Sequence, residues 1–139
     1  MAERTGHDAE AAGSPTALVT GAAGHLGVEL CRLLVAAGFE LVGVDRPGSQ
    51  PPSGVRRWVE VDLGEPSSEV RLSAALEGEP RVDLVVAAAG VTALGSVDDT
   101  DDATFRHVME VNYHGMLRAV RAALPGLRAA GGHLVVVSS

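Results

Sequence analysis

The chain reads as an α/β domain built on a doubly wound parallel sheet, five strands in the order 3-2-1-4-5, and three observations predict it. Short apolar runs alternate with segments of helical period along the chain after Ser14, which implies right-handed crossovers and a sheet covered by helices on both faces. Two of those runs, 16–20 and 82–88, are apolar nearly throughout rather than alternating, as strands buried on both faces are. A glycine-rich stretch from Gly21 to Gly27 separates the first run from the first helical segment, a tight strand-to-helix junction of the kind such sheets use.

Each element has its own signal. Thr16 to Thr20 is the first strand. Between His25 and Ala37 the residues Leu26, Leu30, Leu33, Leu34 and Ala37 form one helical stripe, and Gly38 is placed as its C-cap. Glu40 to Asp45 reads as the second strand, Arg46 to Gly54 with its three prolines as a loop, and Arg57 to Val61 as a short third strand. Ser67 and Ser68 stand ahead of a helix patterned by Val70, Leu72 and Leu76 that ends around Gly78, with Pro80 as a stop. Val82 to Ala88 is the fourth strand, terminating at Gly90, and a loop runs from Thr92 to Asp99. Thr100 or Asp101 caps a long helical region with apolar positions from Phe105 to Leu124, in which Gly115 and Pro125 are the expected places for a break or kink. Gly131-Gly132 ends it, and His133 to Ser139 is the fifth strand. Residues 1–15 are expected to be a disordered leader, polar and without the apolar core of a signal peptide. Residues 16–139 form the domain, which is expected to be incomplete because the sequence stops on a strand, with no internal repeat and no second domain.

Composition bounds the chemistry. With 139 residues, 46% hydrophobic and 21% charged, the chain is globular rather than disordered or fibrous. A net charge of −7 and scattered arginines argue against a nucleic-acid partner, which needs a basic face. No apolar run approaches the ~18 residues needed to cross a bilayer, so no membrane partner is expected. The sequence has no lysine, one tyrosine, Tyr113, and one cysteine, Cys31. An internal disulfide, a thiolate zinc cage and a CxxC pair are therefore excluded, a reducing, cytoplasmic setting fits best, and Cys31 reads as a buried small hydrophobe. The acidic cluster Asp98, Asp99, Asp101 and Asp102 is explained by a helix N-terminus, and the five histidines show no paired ligand spacing, so no metal is expected.

The informative stretch is Thr20-Gly21-Ala22-Ala23-Gly24-His25-Leu26-Gly27. Gly21 permits the tight turn out of the strand, Gly24 lets a pyrophosphate approach the backbone, and Gly27 lets the helix pack closely on the sheet. Exposed amides at the helix start, with its dipole, then stabilise phosphate. Asp45 lies 18 residues after Gly27, at the end of the second strand, where a Rossmann-type dinucleotide-binding unit places the acid that accepts from the adenosine ribose hydroxyls. That carboxylate repels a 2′-phosphate and favours NAD; adjacent Arg46 could neutralise such a phosphate and leaves NADP open.

With these motifs in order, the stretch from Thr16 to Ser139 resembles the short-chain dehydrogenase/reductase family. Asp62-Leu63 is similar to the family's adenine-contacting pair, and Ala87-Ala88-Ala89-Gly90 stands where classical members carry Asn-Asn-Ala-Gly. Asn112-Tyr113-His114-Gly115 looks like its N-x-x-G segment, whose asparagine supports a proton-relay water, and Ser139 matches the catalytic serine. The glycine spacing TGxxGxxG is that of the extended branch, while the long interval from Asn112 to Ser139 is that of the classical branch, which is favoured.

The resemblance implies an oxidoreductase interconverting an alcohol and a carbonyl with a nicotinamide dinucleotide, through Ser139 and Asn112. It also implies a tyrosine and a lysine four residues later, on a helix after the serine strand. The 139 residues contain no such pair, so they are expected to be the cofactor-binding half of a longer enzyme and inactive alone. Two alternatives stand beside this: a non-catalytic dinucleotide-binding or interaction module, and the first half of an extended-type sugar-nucleotide epimerase or dehydratase. A homo-oligomer is compatible with either, and the substrate is not readable.

Overall fold

A computed structural model describes residues 13–138. Its elements are β1 (Thr16–Thr20), α1 (His25–Ala36), β2 (Glu40–Asp45), β3 (Val55–Glu60), α2 (Ser68–Ala75) and β4 (Leu84–Ala87). Then follow α3 (Asp102–Met109), a π-helical turn (Glu110–Gly115), α4 (Met116–Ala130) and β5 (His133–Val136). The five strands form one parallel sheet in the predicted order β3-β2-β1-β4-β5. Most of the expected leader, and Ser139, lie outside the described residues.

β1 is the middle strand and is buried at all five positions, because it is paired on both sides: Leu18 sits opposite Val42 of β2 and Val85 of β4. Alternation along the strand then divides the core in two. Leu18, Val42, Val44, Val59 and Val85 face α2 and α4, where they meet Leu72, Leu76, Ala119, Ala123 and Leu127. Ala17, Val19, Leu41 and Val86 face α1 and meet Cys31, with Leu30, Leu34 and Trp58 at the margin. Burial pushes the Cys31 thiol pKa up, so it remains a neutral packing group.

Several boundaries differ from expectation, each for a local reason. α1 buries only part of its leucine stripe: Leu30 and Leu34 pack at the margin of the core, Leu26 and Leu33 are exposed, and the fully buried helix residues are Gly27 and Cys31. The small residues face inward because the helix must pass close to the glycine turn. β3 begins two residues early, at Val55, because a register shift between Leu41 and Val42 leaves Arg56 unpaired in the ladder. Its guanidinium instead bridges Glu40 and the buried Glu79.

β4 is shorter than the apolar run. Val82 spends its amide on the Gly126 carbonyl, and the amides of Ala88 and Ala89 turn to the Thr20 hydroxyl. β5 likewise ends at Val136, short of the expected Ser139. α2 stops at Ala75 rather than near Gly78.

The long helical region is interrupted by the π turn that ends at Gly115, while Pro125 sits inside α4 without ending it. Asp101 caps α3, accepting a hydrogen bond from the Thr104 amide at 2.8 Å, and hydrogen bonding to the Thr104 side chain, with the amide bond second, holds its carboxyl pKa below the ordinary value. α4 ends as predicted, with Gly131 in the left-handed conformation and the Gly132 amide returning to the Leu127 carbonyl.

The tightest packing in the fold is at Gly27, where an added Cβ would lie 2.0 Å from the Gly21 carbonyl oxygen. Gly27→Ala is expected to destabilise the protein by about 3 kcal/mol, the upper range for overpacking a rigid backbone contact, measured by urea denaturation.

Candidate functional site

The site lies at the carboxyl end of the sheet and starts where β1 leaves it. Gly21 takes a φ of +67°, and a side chain there would strike the Ala89 backbone at 2.8 Å. The turn is fastened to its neighbours by backbone bonds: the Ala22 amide donates to the Val44 carbonyl, and the Gly24 amide to that of Gly21. Gly24 is the N-cap of α1 and provides no side-chain cap, and the first turn of the helix carries no acidic residue. The helical ladder begins with the Val28 amide donating to Gly24, so the amides of His25, Leu26 and Gly27 have no intrahelical acceptor. An uncapped, uncompensated helix N-terminus beside a glycine turn can hold an anionic phosphate.

Asp45 closes the next side of the site and is already engaged. Its Oδ2 accepts from the Ala23 amide at 2.9 Å, and Oδ1 accepts from its neighbour Arg46 at 2.8 Å and from the Ser49 hydroxyl at 3.4 Å. The carboxylate thus ties the glycine turn to the end of β2, a long-range contact that no local pattern in the sequence announced. Beyond it, Asp62 Oδ1 accepts from the Gly64 amide at 2.9 Å, forming a closed turn after β3, with Leu63 buried beside it.

The third side is the chain leaving β4. Thr20 is buried and accepts from the Ala88 and Ala89 amides, so a β1 hydroxyl steadies the backbone where asparagines were absent from the sequence. Gly90 packs on the Asn112 side chain, where an added Cβ would lie 3.3 Å from Oδ1. Asn112, within the π turn, makes a reciprocal pair with the Val91 backbone: Val91 donates to Oδ1 and Nδ2 donates back to the Val91 carbonyl, both at 2.8 Å. One residue earlier in that turn, Val111 reaches Gly64. Glu110 accepts from Arg118, and this bond holds the Glu110 carboxyl pKa below its ordinary value. Tyr113 is exposed and stacks edge-on against His114.

These walls enclose a cleft of about 350 Å³. Of the residues singled out from sequence, Gly21, Gly24, Asp45, Arg46, Asp62, Leu63, Ala88, Ala89 and Gly90 line it. Thr20, Ala22, His25, Leu26 and Gly27 do not line it; Thr20, Ala22 and Gly27 are buried behind it, and His25 and Leu26 point to solvent. Asn112 does not line it and supports it from behind, bonding Val91 and packing under Gly90. Val44, Val61, Val91, His107 and Val111 complete the lining without having been singled out. Among the described residues there is no group of histidine, cysteine and carboxylate side chains able to hold a metal, and no helix long and apolar enough to cross a membrane.

Comparison with known proteins gives this arrangement a context. The short chain dehydrogenase family model matches residues 15–139. A galactitol 2-dehydrogenase (L-tagatose-forming) of Cereibacter sphaeroides is 32% identical over 127 residues, covering 86% of this chain and 50% of that protein. Among solved structures, a short chain dehydrogenase from Mycobacterium paratuberculosis bound to NAD superposes with a TM-score of 0.77 at 28% identity, covering 91% of this chain and 56% of that one. An alcohol dehydrogenase from the archaeon Thermococcus sibiricus complexed with 5-hydroxy-NADP gives 0.78 at 26% identity, covering 90% and 58%. The chain spans about half the length of the curated relatives it matches. On its sequence, its strand order and the architecture of this cleft, the chain belongs to the short chain dehydrogenase family.

Proposed function

We propose that the protein binds a nicotinamide dinucleotide in the cleft and serves the interconversion of an alcohol and a carbonyl. The observation that carries this reading is the uncapped α1 N-terminus, free of acidic residues in its first turn, standing beside a β2 carboxylate that faces the same cleft. The residues fit such a ligand. The amides of His25 to Gly27 would hold the pyrophosphate, Asp45 Oδ1 would accept from a ribose hydroxyl, and Asp62 with Leu63 would flank the adenine. The family and the nucleotide-bound neighbours support this assignment. When bound, the nicotinamide supplies or accepts hydride. The chain's own residues orient it: Thr20 fixes the Ala88 and Ala89 amides, and Asn112 fixes the Val91 backbone that continues them. Ser139 is assigned to polarise the substrate oxygen, and the classical branch is the one its interval from Asn112 favours.

NAD is the cofactor this reading prefers over NADP, because the Asp45 carboxylate stands where a 2′-phosphate would approach. Since Asp45 also accepts from Ala23, its two roles separate in the amide variant, which keeps an acceptor and loses the charge. Asp45→Asn is expected to raise NADP affinity relative to NAD by about tenfold, equivalent to ~1.4 kcal/mol, while Asp45→Ala weakens both nucleotides. Calorimetric titration with each nucleotide checks this, and a wild-type protein that binds neither contradicts the proposal.

Asn112→Ala removes both bonds to Val91. Amide exchange at Val91 is expected to accelerate and thermal unfolding to move to lower temperature, by the equivalent of about 2 kcal/mol for two hydrogen bonds. Hydrogen-exchange mass spectrometry and a melting curve measure the two effects.

A further inference from the structure

One charged pair beside the cleft has no part in the reading above. Arg118 lies on the first turn of α4, with a side chain only 14% exposed. Its Nη1 donates to the carbonyl oxygens of Leu63 at 3.0 Å and Gly64 at 3.4 Å, and its Nη2 donates to Glu110 Oε1. The two carbonyls belong to the turn that presents Asp62 and Leu63 to the cleft. The carboxylate belongs to the first residue of the π turn that carries Asn112. One guanidinium therefore joins the turn after β3 to the turn that fixes the chain after β4.

We propose that Arg118, oriented by Glu110, is a positioning residue that sets where the Asp62-Leu63 turn stands in the cleft, and so shapes the subsite for the adenine end of the ligand. The inference rests on the dinucleotide reading above. Arginine is suited to the task, because its planar fork serves carbonyls on one side and a carboxylate on the other, which a lysine ammonium cannot do in one geometry. A largely buried guanidinium also needs the carboxylate to offset its desolvation, which is why the two residues act together.

The internal bond from the Gly64 amide to Asp62 Oδ1 closes the turn, and the Arg118 bonds to the Leu63 and Gly64 carbonyls hold it closed and in place. Its height over the sheet is held by Arg118, by the buried Leu63 side chain, by the Ser68 hydroxyl donating to the Leu63 carbonyl at 3.4 Å, and by close contacts at glycines: an added Cβ on Gly115 would lie 3.0 Å from Leu63 Cβ, and one on Gly64 would lie 3.1 Å from Val111. Loss of the guanidinium thus loosens the turn and lets it open more often, while the Leu63 side chain stays anchored in the core.

The test uses Arg118→Met and Glu110→Gln, with ADP-ribose and inorganic pyrophosphate as separate probes in calorimetry, and amide exchange at Leu63, Gly64 and Glu65. In Arg118→Met, ADP-ribose affinity is expected to fall about tenfold, in line with the loss of a charged hydrogen-bonding group. Pyrophosphate affinity, which reports the α1 N-terminus, stays unchanged, and exchange across the turn accelerates. Glu110→Gln retains an acceptor and shows the same effects at smaller size; it carries the comparison by itself where Arg118→Met does not fold. Unchanged exchange at the turn overturns the inference. So does an equal loss of both probes, which marks a purely structural role. A wild-type protein that fails to bind ADP-ribose overturns the dinucleotide reading instead, and turn exchange alone then decides the positioning role.

Discussion

The site depends on a backbone contact between Gly27 and the Gly21 carbonyl. With no Cβ at Gly27, α1 settles directly against the turn out of β1; with one, a carbon atom would occupy the carbonyl oxygen's own space. Everything at that end of the sheet is referenced to this contact. It brings the first turn of α1 to the lip of the cleft, makes Gly27 and Cys31 the most deeply buried residues of its inward face with Leu30 and Leu34 beside them, and places the Ala22 and Ala23 amides within reach of Val44 and Asp45. The N-cap of α1, Gly24, lines the cleft, and the first turn carries no acidic side chain to neutralise the free donors and positive dipole end beside it.

The π turn at 110–115 is the counterpart on the far wall. Its widened backbone puts Asn112 against Val91, Val111 against Gly64 and Gly115 against Leu63. Glu110 passes the connection to Arg118. A regular helix through the same residues would rotate successive side chains by a different step, so these contacts could not all be made from one turn. The cleft is therefore bounded by two closely packed features, a glycine turn and a π turn, with β-strand ends between them.

Much of this was legible from residues alone, because it rests on local rules. The strand order followed from the strand-helix alternation, and the end of α4 followed from Gly131-Gly132. A cap at Thr100 or Asp101 followed from polar residues ahead of a helical pattern, and Asp101 is the one that makes it. What could not be read were contacts between distant segments. Asp45 was visible as an acid at a telling distance from Gly27, but its bond to Ala23 joins residues on different elements. Arg118 was one arginine among several, with nothing in its neighbours to mark it. The α1 stripe holds at Leu30 and Leu34 and fails at Leu26 and Leu33, because periodicity reports an apolar face while the depth of approach at Gly27 decides which residues of the helix reach the sheet. The π turn has no compositional signature beyond Gly115, so the interruption was expected only as a break or kink.

The central claim is that the glycine turn and the α1 N-terminus form the floor of a dinucleotide site. Backbone amide shifts of the protein titrated with NAD test it most directly. The account predicts concentrated perturbation at residues 21–27, at Asp45 and at 88–91, with α2 and the amino ends of the strands unaffected. Perturbation confined to other surfaces, or none at saturating nucleotide, would contradict it.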